Sequence, residues 1–123
     1  MDTKEIKIDF EYDPNEVEEL VKSFYDRFDS KENVENKKYA ILKLKDYKFY
    51  NRKTKLPEGR YVRWIMTKDT KNMRLSSGGF IANDDQYSVW IITNSKKLKI
   101  SKKNAIFFVK LNKSEKIMAA IMR

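Results

Sequence analysis

Hydrophobic residues recur with helical spacing in one stretch near the N-terminus and alternate in short runs over most of the remaining chain. The helical stretch carries one apolar stripe, formed by Val17, Leu20, Val21, Phe24 and Phe28. Before it, Asp13-Pro14-Asn15-Glu16 has the order of a helix start, with an aspartate N-cap, a proline in the first helical position and a glutamate in the capping-box position. The sequence therefore predicts a helix over residues 14–29.

The other apolar runs are short and bounded by turn-forming residues, which is typical of strands. The runs predicted as strands are 5–12, 60–67, 80–82, 87–93, 98–101 and 105–111, with 80–82 and 87–93 forming a hairpin around 83–86. A further extended region is predicted over 39–44 and 47–50, with a bend at Asp46.

Polar segments separate these elements. Residues 30–37 are predicted to be an internal linker, and residues 51–59 and 68–79 are predicted to be loops. The C-terminal segment 113–123 fits either a short helix that starts at Ser114 or an extension of the sheet.

This order of elements predicts an α+β fold. The expected architecture is one N-terminal amphipathic helix with a curled antiparallel sheet or a small SH3-like barrel of five to six strands. The 123 residues fit a single domain, 1–123, in which 1–35 is an acidic strand-helix segment and 36–123 is a basic β-rich body.

The net charge of +9 is divided very unevenly along the chain. Residues 1–35 hold 12 acids and 5 bases, a net charge of −7, and residues 36–123 hold 22 bases and 6 acids, a net charge of +16. A body this positive attracts polyanions. The acidic segment either competes with a polyanion for the basic surface or only balances the charge for solubility.

Histidine and cysteine are both absent from the sequence. Their absence excludes disulfides, thiolate nucleophiles, thiolate or imidazole zinc sites and Ser-His-Asp triads. The carboxylates form no recognised catalytic set, and Asp84-Asp85 is predicted to lie in a turn. We therefore expect a protein that is not an enzyme and has no cofactor and no metal site.

The N-terminus lacks the basic-then-apolar order of a signal peptide, and no apolar run approaches the about 20 residues of a membrane-spanning helix. The chain is therefore expected to be intracellular rather than secreted, with no membrane partner.

Three basic clusters are candidates for phosphate binding. The first interleaves cations with rings over 43–63, the second surrounds the Ser76-Ser77-Gly78-Gly79 turn, and the third alternates lysines with Leu98 and Ile100. The predicted contact residues are Lys53, Lys55, Arg60, Arg63, Lys68, Lys71, Arg74, Lys97 and Lys99.

Each cluster also has a structural explanation that leaves it without a ligand. The rings of the first can be core residues, the two glycines of the second can form a tight turn or bulge, and the lysines of the third can protect an edge strand from aggregation.

Three short runs carry a resemblance to a known group of proteins: 56–65 (Leu-Pro-Glu-Gly-Arg-Tyr-Val-Arg-Trp-Ile), 75–81 (Leu-Ser-Ser-Gly-Gly-Phe-Ile) and 89–91 (Val-Trp-Ile). Over about residues 42–110 the chain resembles small lysine-rich proteins of nucleocytoplasmic large DNA viruses. The acidic N-terminal helix has no counterpart in that pattern. The resemblance implies a viral protein made in the host cytoplasm, which is a candidate for packaging in the virion; it implies no reaction and no catalytic residues.

The function that these observations predict is non-enzymatic binding of nucleic acid, DNA or RNA, without sequence specificity, through lysine-phosphate contacts. The alternative is a virion structural or protein-protein interaction module whose basic surface binds an acidic protein partner.

Overall fold

The computed structural model describes residues 14–50, 56–94 and 96–121. The helices are α1 (Pro14–Asp26), α2 (Lys31–Lys43) and α3 (Lys113–Ile121), and a 3-10 turn spans Lys102–Asn104. The strands are β1 (Tyr47–Phe49), β2 (Tyr61–Met66), β3 (Gly79–Asp84), β4 (Ser88–Thr93), β5 (Lys96–Ser101) and β6 (Ala105–Lys110).

The predicted α+β fold with an N-terminal helix is confirmed. The six described strands form one antiparallel sheet in the order β1-β6-β2-β3-β4-β5. This sheet is open, with β1 and β5 at its edges, so of the two predicted architectures the curled sheet is the correct one and the closed barrel is not.

Helix α1 lies where the apolar stripe predicts it, but it ends at Asp26 and buries a different aromatic ring. Tyr25 is only 2% exposed, whereas Phe24 and Phe28 are half-buried. The Tyr25 hydroxyl donates to the carbonyl of Met73, and burial raises the pKa of Tyr25 to about 12. The predicted N-cap Asp13 and the predicted strand 5–12 lie outside the described residues.

The predicted linker 30–37 and the predicted strand 39–44 are both wrong, because helix α2 occupies them. Ser30 is its N-cap, and the Ser30 hydroxyl oxygen accepts the Asn33 N–H at 3.1 Å. The buried residues within α2 are Asn33 and Ala40. The helix therefore lacks the apolar stripe from which an amphipathic helix is predicted.

Asn33 fixes α2 to the loop between β2 and β3. The Asn33 amide nitrogen donates to the carbonyls of Phe28 and Thr70, both at 2.8 Å, and its amide oxygen accepts the Met73 N–H at 2.9 Å. Since Asn33 is 2% exposed, these bonds satisfy polar groups that would otherwise be buried without partners. The first half of the predicted loop 68–79 is thereby ordered against the helix.

The remaining strand predictions are confirmed, with shifts of one or two residues at their ends. These are 47–50, 60–67, the 80–93 hairpin, 98–101 and 105–111, and the C-terminal segment adopts the helical alternative. Of the predicted loop 51–59, residues 56–59 are described and lie outside helices and strands.

Two apolar clusters occupy opposite faces of the sheet, because successive strand residues point to opposite sides. On one face α1 and α2 pack against Tyr47, Ile65 and Phe108. On the other face Val62, Val89 and the neighbouring strand residues form the second cluster, which Tyr50 and Leu56 partly cover. The sheet curls around this second cluster, so that Val62 and Val89 are fully buried.

Candidate functional site

The helices cover only the β1-β6-β2 half of their face of the sheet, and this leaves an exposed surface on β3, β4 and β5. The strand register identifies the side chains that form it. Phe80 pairs with Ile92 and Ile92 with Lys97, while Asn83 pairs with Trp90 and Trp90 with Lys99. We call this surface the open face; its members are Phe80, Asn83, Trp90, Ile92, Lys97 and Lys99.

A β-bulge in β3 places Asn83 on the same side of the sheet as Phe80. The register shifts between Ile81 and Asn83, so that Ala82 is the additional residue. Without this shift, Asn83 and not Asp84 would point into the second apolar cluster. The bulge therefore buries Asp84 and places Asn83 beside Trp90 on the open face.

The open face combines exposed apolar side chains with cations. Phe80 is 55% exposed and Ile92 is 49% exposed, while Trp90 is half-buried. The Lys97 and Lys99 ammonium groups lie 5.0 Å and 5.3 Å from the centre of the Trp90 ring. At the border with the covered half, Tyr61 packs edge-to-face against Phe80 with 5.2 Å between ring centres, and Lys110 lies over Tyr61.

The turn between β3 and β4 positions the Trp90 ring. The Trp90 indole N–H donates to Asp85 Oδ2 at 3.3 Å, and Asp85 Oδ1 accepts the backbone N–H groups of Tyr87 at 2.9 Å and Ser88 at 2.7 Å. These two backbone hydrogen bonds hold the pKa of Asp85 below its usual value. Asp85 is thus a turn residue, as predicted, whereas the same prediction for Asp84 is wrong because Asp84 ends β3 and is buried.

Of the predicted contact residues, Lys97 and Lys99 lie on the open face. Both are exposed, and the alternate residues Leu98 and Ile100 pack against the second apolar cluster. Lys97 and Lys99 therefore point outward and Leu98 and Ile100 inward, as the predicted positive ridge requires. Lys53 and Lys55 lie outside the described residues.

Two of the three predicted arginines, Arg60 and Arg63, already have contacts within the protein. The Arg60 guanidinium donates to the Lys110 carbonyl at 2.6 Å and pairs with Glu115. Arg63 is half-buried, and its guanidinium lies 5.9 Å from the centre of the Tyr47 ring on the helix-covered side of β2. Neither arginine belongs to the open face.

Lys68, Lys71 and Arg74 are exposed but lie at the other end of β2. Tyr61, which borders the open face, starts this strand, and Lys68 follows its end, so the separation along the strand is about 20 Å. The anion-binding turn predicted beside these cations lies instead along β2 towards Tyr61, and part of it already has contacts within the protein. The Ser76 N–H donates to the Trp64 carbonyl at 2.8 Å, and Gly78, at φ +100°, lies against the Tyr61 ring. Gly78 thus precedes β3, and Gly79 is the first residue of that strand, paired with Val62 and with no space for a side chain beside Ile91.

The rings of the basic segment 43–63 are mainly structural. Tyr47 and Tyr50 are each 6% exposed, Phe49 packs on Phe108, and the Tyr61 hydroxyl donates to the Ser77 carbonyl at 2.5 Å. The exposed rings on this sheet belong instead to β3 and β4, which the sequence reasoning did not single out. The available signal was the alternation of Trp90 and Ile92 in the strand that precedes the lysine ridge.

Glu115 is the acidic centre of a separate ion-pair group at the start of α3. Its carboxylate pairs with Arg60 and with Lys48, the latter at 3.2 Å, and accepts the Asn112 N–H at 3.0 Å. Burial alone would raise the pKa of Glu115, but the hydrogen bond from Asn112 and the charges of Lys48 and Arg60 outweigh it and lower that pKa below its usual value.

Replacing Glu115 with glutamine should lower the free energy of unfolding by about 1.5–3 kcal/mol near pH 7, because the negative charge that pairs with Lys48 and Arg60 is lost. The glutamine side-chain oxygen still accepts the Asn112 N–H. A lowered folded-state pKa means that the stabilisation is present above the unfolded pKa of about 4.3 and is lost as the pH falls through the folded pKa. The difference between the two proteins in urea unfolding should therefore be larger near pH 7 than near pH 3. An equal difference at both pH values would contradict the assignment.

Within 14–50, 56–94 and 96–121, no group of three or more acidic side chains could hold a metal ion. No helix in these ranges is long and apolar enough to cross a membrane.

Comparison with protein-family models, with curated proteins and with solved structures returns no match. The resemblance to lysine-rich viral proteins therefore stays a prediction.

Proposed function

We propose that the protein is a non-enzymatic, sequence-nonspecific nucleic-acid-binding protein and that the open face is its binding surface. The observation that supports this most directly is that the Lys97 and Lys99 ammonium groups both lie within 5.3 Å of the centre of the Trp90 ring on the open face. Lysine contacts phosphate as a point charge and reads no base pattern, which suits binding without sequence preference.

The charge distribution supports the same proposal. The acids of the two N-terminal helices that form ion pairs do so with lysines of those helices: Glu18 with Lys22, Asp26 with Lys37 and Glu35 with Lys38. Over the described residues, no ion pair with a carboxylate involves Lys97 or Lys99. Asp85 attracts Lys99 electrostatically, but both lysines remain exposed on the open face.

The test is the salt dependence of binding. Each phosphate contact on duplex DNA contributes about −0.9 to the slope of log affinity against log salt. The double substitution Lys97→Gln/Lys99→Gln should therefore make the slope less steep by about 2 and weaken all sequences about equally.

Two further double variants make the test specific. Lys22→Gln/Lys38→Gln removes the same charge from α1 and α2 and should leave the slope unchanged, because those lysines lie away from the open face. Lys68→Gln/Lys71→Gln tests the other predicted cations. No measurable binding of the unaltered protein at low salt, or tight binding that salt does not affect, would contradict the proposal.

A second candidate is a protein-protein interaction module with an acidic partner. Exposed Ile92 favours it, because an aliphatic side chain at the centre of a charged surface suits apolar contact with a protein. Failure to bind any nucleic acid at low salt would make this candidate the leading one. Substitution of Ile92 by serine should then weaken binding to an acidic partner more than the loss of either lysine.

A further inference from the structure

The open face carries two rings in neighbouring rows, and their spacing restricts which nucleic acid fits. Phe80 lies in the row with Lys97, and Trp90 lies in the next row with Lys99. The two lysines are two residues apart on β5, so the rows are about 6.6 Å apart. The rise per nucleotide along one strand of B-DNA is about 3.4 Å, roughly half this spacing.

Phe80 and Trp90 are also diagonal neighbours on adjacent strands, about 7–8 Å apart, and two rings at this distance cannot stack on adjacent bases that are still stacked on each other. Bases in a duplex are also covered above and below, and a base must be flipped out before a protein ring can contact its face, which costs free energy. An extended single strand has no such restriction, because its bases are already unstacked and every base offers a π-face to an aromatic side chain.

The cations are placed to accompany stacking. Lys97 and Lys99 lie near the Trp90 ring, and an exposed cation–π contact is weaker than base-ring stacking. A base that stacks on Trp90 therefore displaces the ammonium groups toward the phosphates on either side of it. The hydrogen bond from the Trp90 indole to Asp85 holds the ring in place.

A groove continues this surface along β5. It has a volume of about 420 Å³ and is lined by Gln86, Tyr87, Ser101, Lys102 and Lys103. Tyr87 is 72% exposed, and Ser101 lies two residues beyond Lys99 on the same strand. The groove thus offers another ring, Tyr87, and one exposed cation, Lys103, in the direction in which the two rows advance, whereas Lys102 pairs with Asp84.

We infer that the open face selects single-stranded nucleic acid over duplex, with Phe80 and Trp90 stacking on two successive bases of an extended strand and Lys97 and Lys99 contacting the adjacent phosphates. This inference rests on the proposed function, of which it specifies the ligand.

The test compares binding of oligo(dT), oligo(U) and a mixed-sequence duplex by the full chain and by Trp90→Leu and Phe80→Leu. Each lost ring should weaken binding of both single strands by about 5- to 100-fold and duplex binding by less than about twofold. Tyr39→Leu is the matched control, since Tyr39 is 46% exposed on α2 and also has a lysine, Lys43, over its ring at 5.7 Å. This control should bind all three ligands as the unaltered protein does.

Fluorescence gives a second measurement on the unaltered protein. Trp64 is 7% exposed and lies in the second apolar cluster, so quenching by oligo(dT) should come from Trp90 and disappear in Trp90→Leu.

The outcomes separate this inference from the proposed function. Equal losses on single strands and duplex, or an equal loss in Tyr39→Leu, would overturn stacking selection while salt-dependent binding remained. Absence of binding to all three ligands would instead overturn the proposed function itself.

Discussion

Replacing Asp84 with alanine should lower the free energy of unfolding by about 3 kcal/mol, because it leaves the Lys102 ammonium largely buried without its counter-charge. The Asp84 side chain is 1% exposed, and its Oδ1 lies 2.5 Å from Lys102 Nζ. Its Oδ2 accepts the Leu56 N–H at 2.7 Å, so that amide would also lose its acceptor. The loss is placed at the lower end of the range for buried pairs because Lys102 keeps 14% exposure.

A double-mutant cycle separates the ion pair from simple packing. Replacing both partners, Asp84→Leu with Lys102→Met, should cost less than Asp84→Ala alone, since no uncompensated charge remains. Urea unfolding of the unaltered protein, Asp84→Leu, Lys102→Met and the double variant gives the coupling energy directly. Strictly additive losses would show that Asp84 and Lys102 do not interact.

Replacing Phe108 with alanine should lower the free energy of unfolding by about 3–5 kcal/mol, the range for truncation of a fully buried phenylalanine. Phe108 is fully buried at the centre of β6, where the strand pairs with β1 on one side and β2 on the other. Its ring packs on Phe49 and belongs to the cluster under α1 and α2. The cavity would therefore weaken the contact between the helices and the sheet.

Phe80→Ala is the matched control, because it removes the same ring from a side chain that is 55% exposed. Its expected effect on the free energy of unfolding is within about 0.5 kcal/mol, as for most surface substitutions. Thermal or urea unfolding of both variants makes the comparison. Similar losses at the two positions would contradict the assignment of a buried and an exposed face.

Elements with a regular apolar period could be predicted from the sequence, and α2 could not. Helix α1 has a stripe, and the strands of the sheet alternate, whereas α2 contacts the loop 68–74 through the polar side chain of Asn33. A buried asparagine whose side chain makes four hydrogen bonds looks like any surface asparagine in the sequence. Ser30 at the N-cap was the available local signal, but it is not followed by the glutamate or glutamine of a capping box.

The candidate site was predicted in part. Its lysines could be placed from the residue pattern of one strand, whereas the position of its rings depends on how several strands pair. Lys97 and Lys99 follow from alternation along one strand, but their neighbours Trp90 and Phe80 depend on the register of three strands. A bulge at Ala82 also shifts the pairing of β3 with β4 beyond Ile81. The same shift buries Asp84 and leaves Asp85 in the turn. Because both residues are aspartates, the sequence alone does not show which of the two is buried.

The arginines were misleading for a related reason. Arg60 and Arg63 lie in the sequence among cations and rings, which suggests a shared binding surface. In the fold, Arg60 pairs with Glu115 and donates a hydrogen bond to the Lys110 carbonyl, and Arg63 points to the helix-covered face. Their partners are distant in sequence, so only the tertiary structure identifies them.

The most direct test of the central claim is an NMR titration of the isotopically labelled full chain with oligo(dT) at low salt. If the open face binds nucleic acid, the largest shifts should occur at the Trp90 indole N–H and at the backbone amides of Phe80, Ile92, Lys97 and Lys99. The amides of 68–74, about 20 Å away along β2, should shift little. Largest shifts in 68–74, or no shifts anywhere, would contradict the claim.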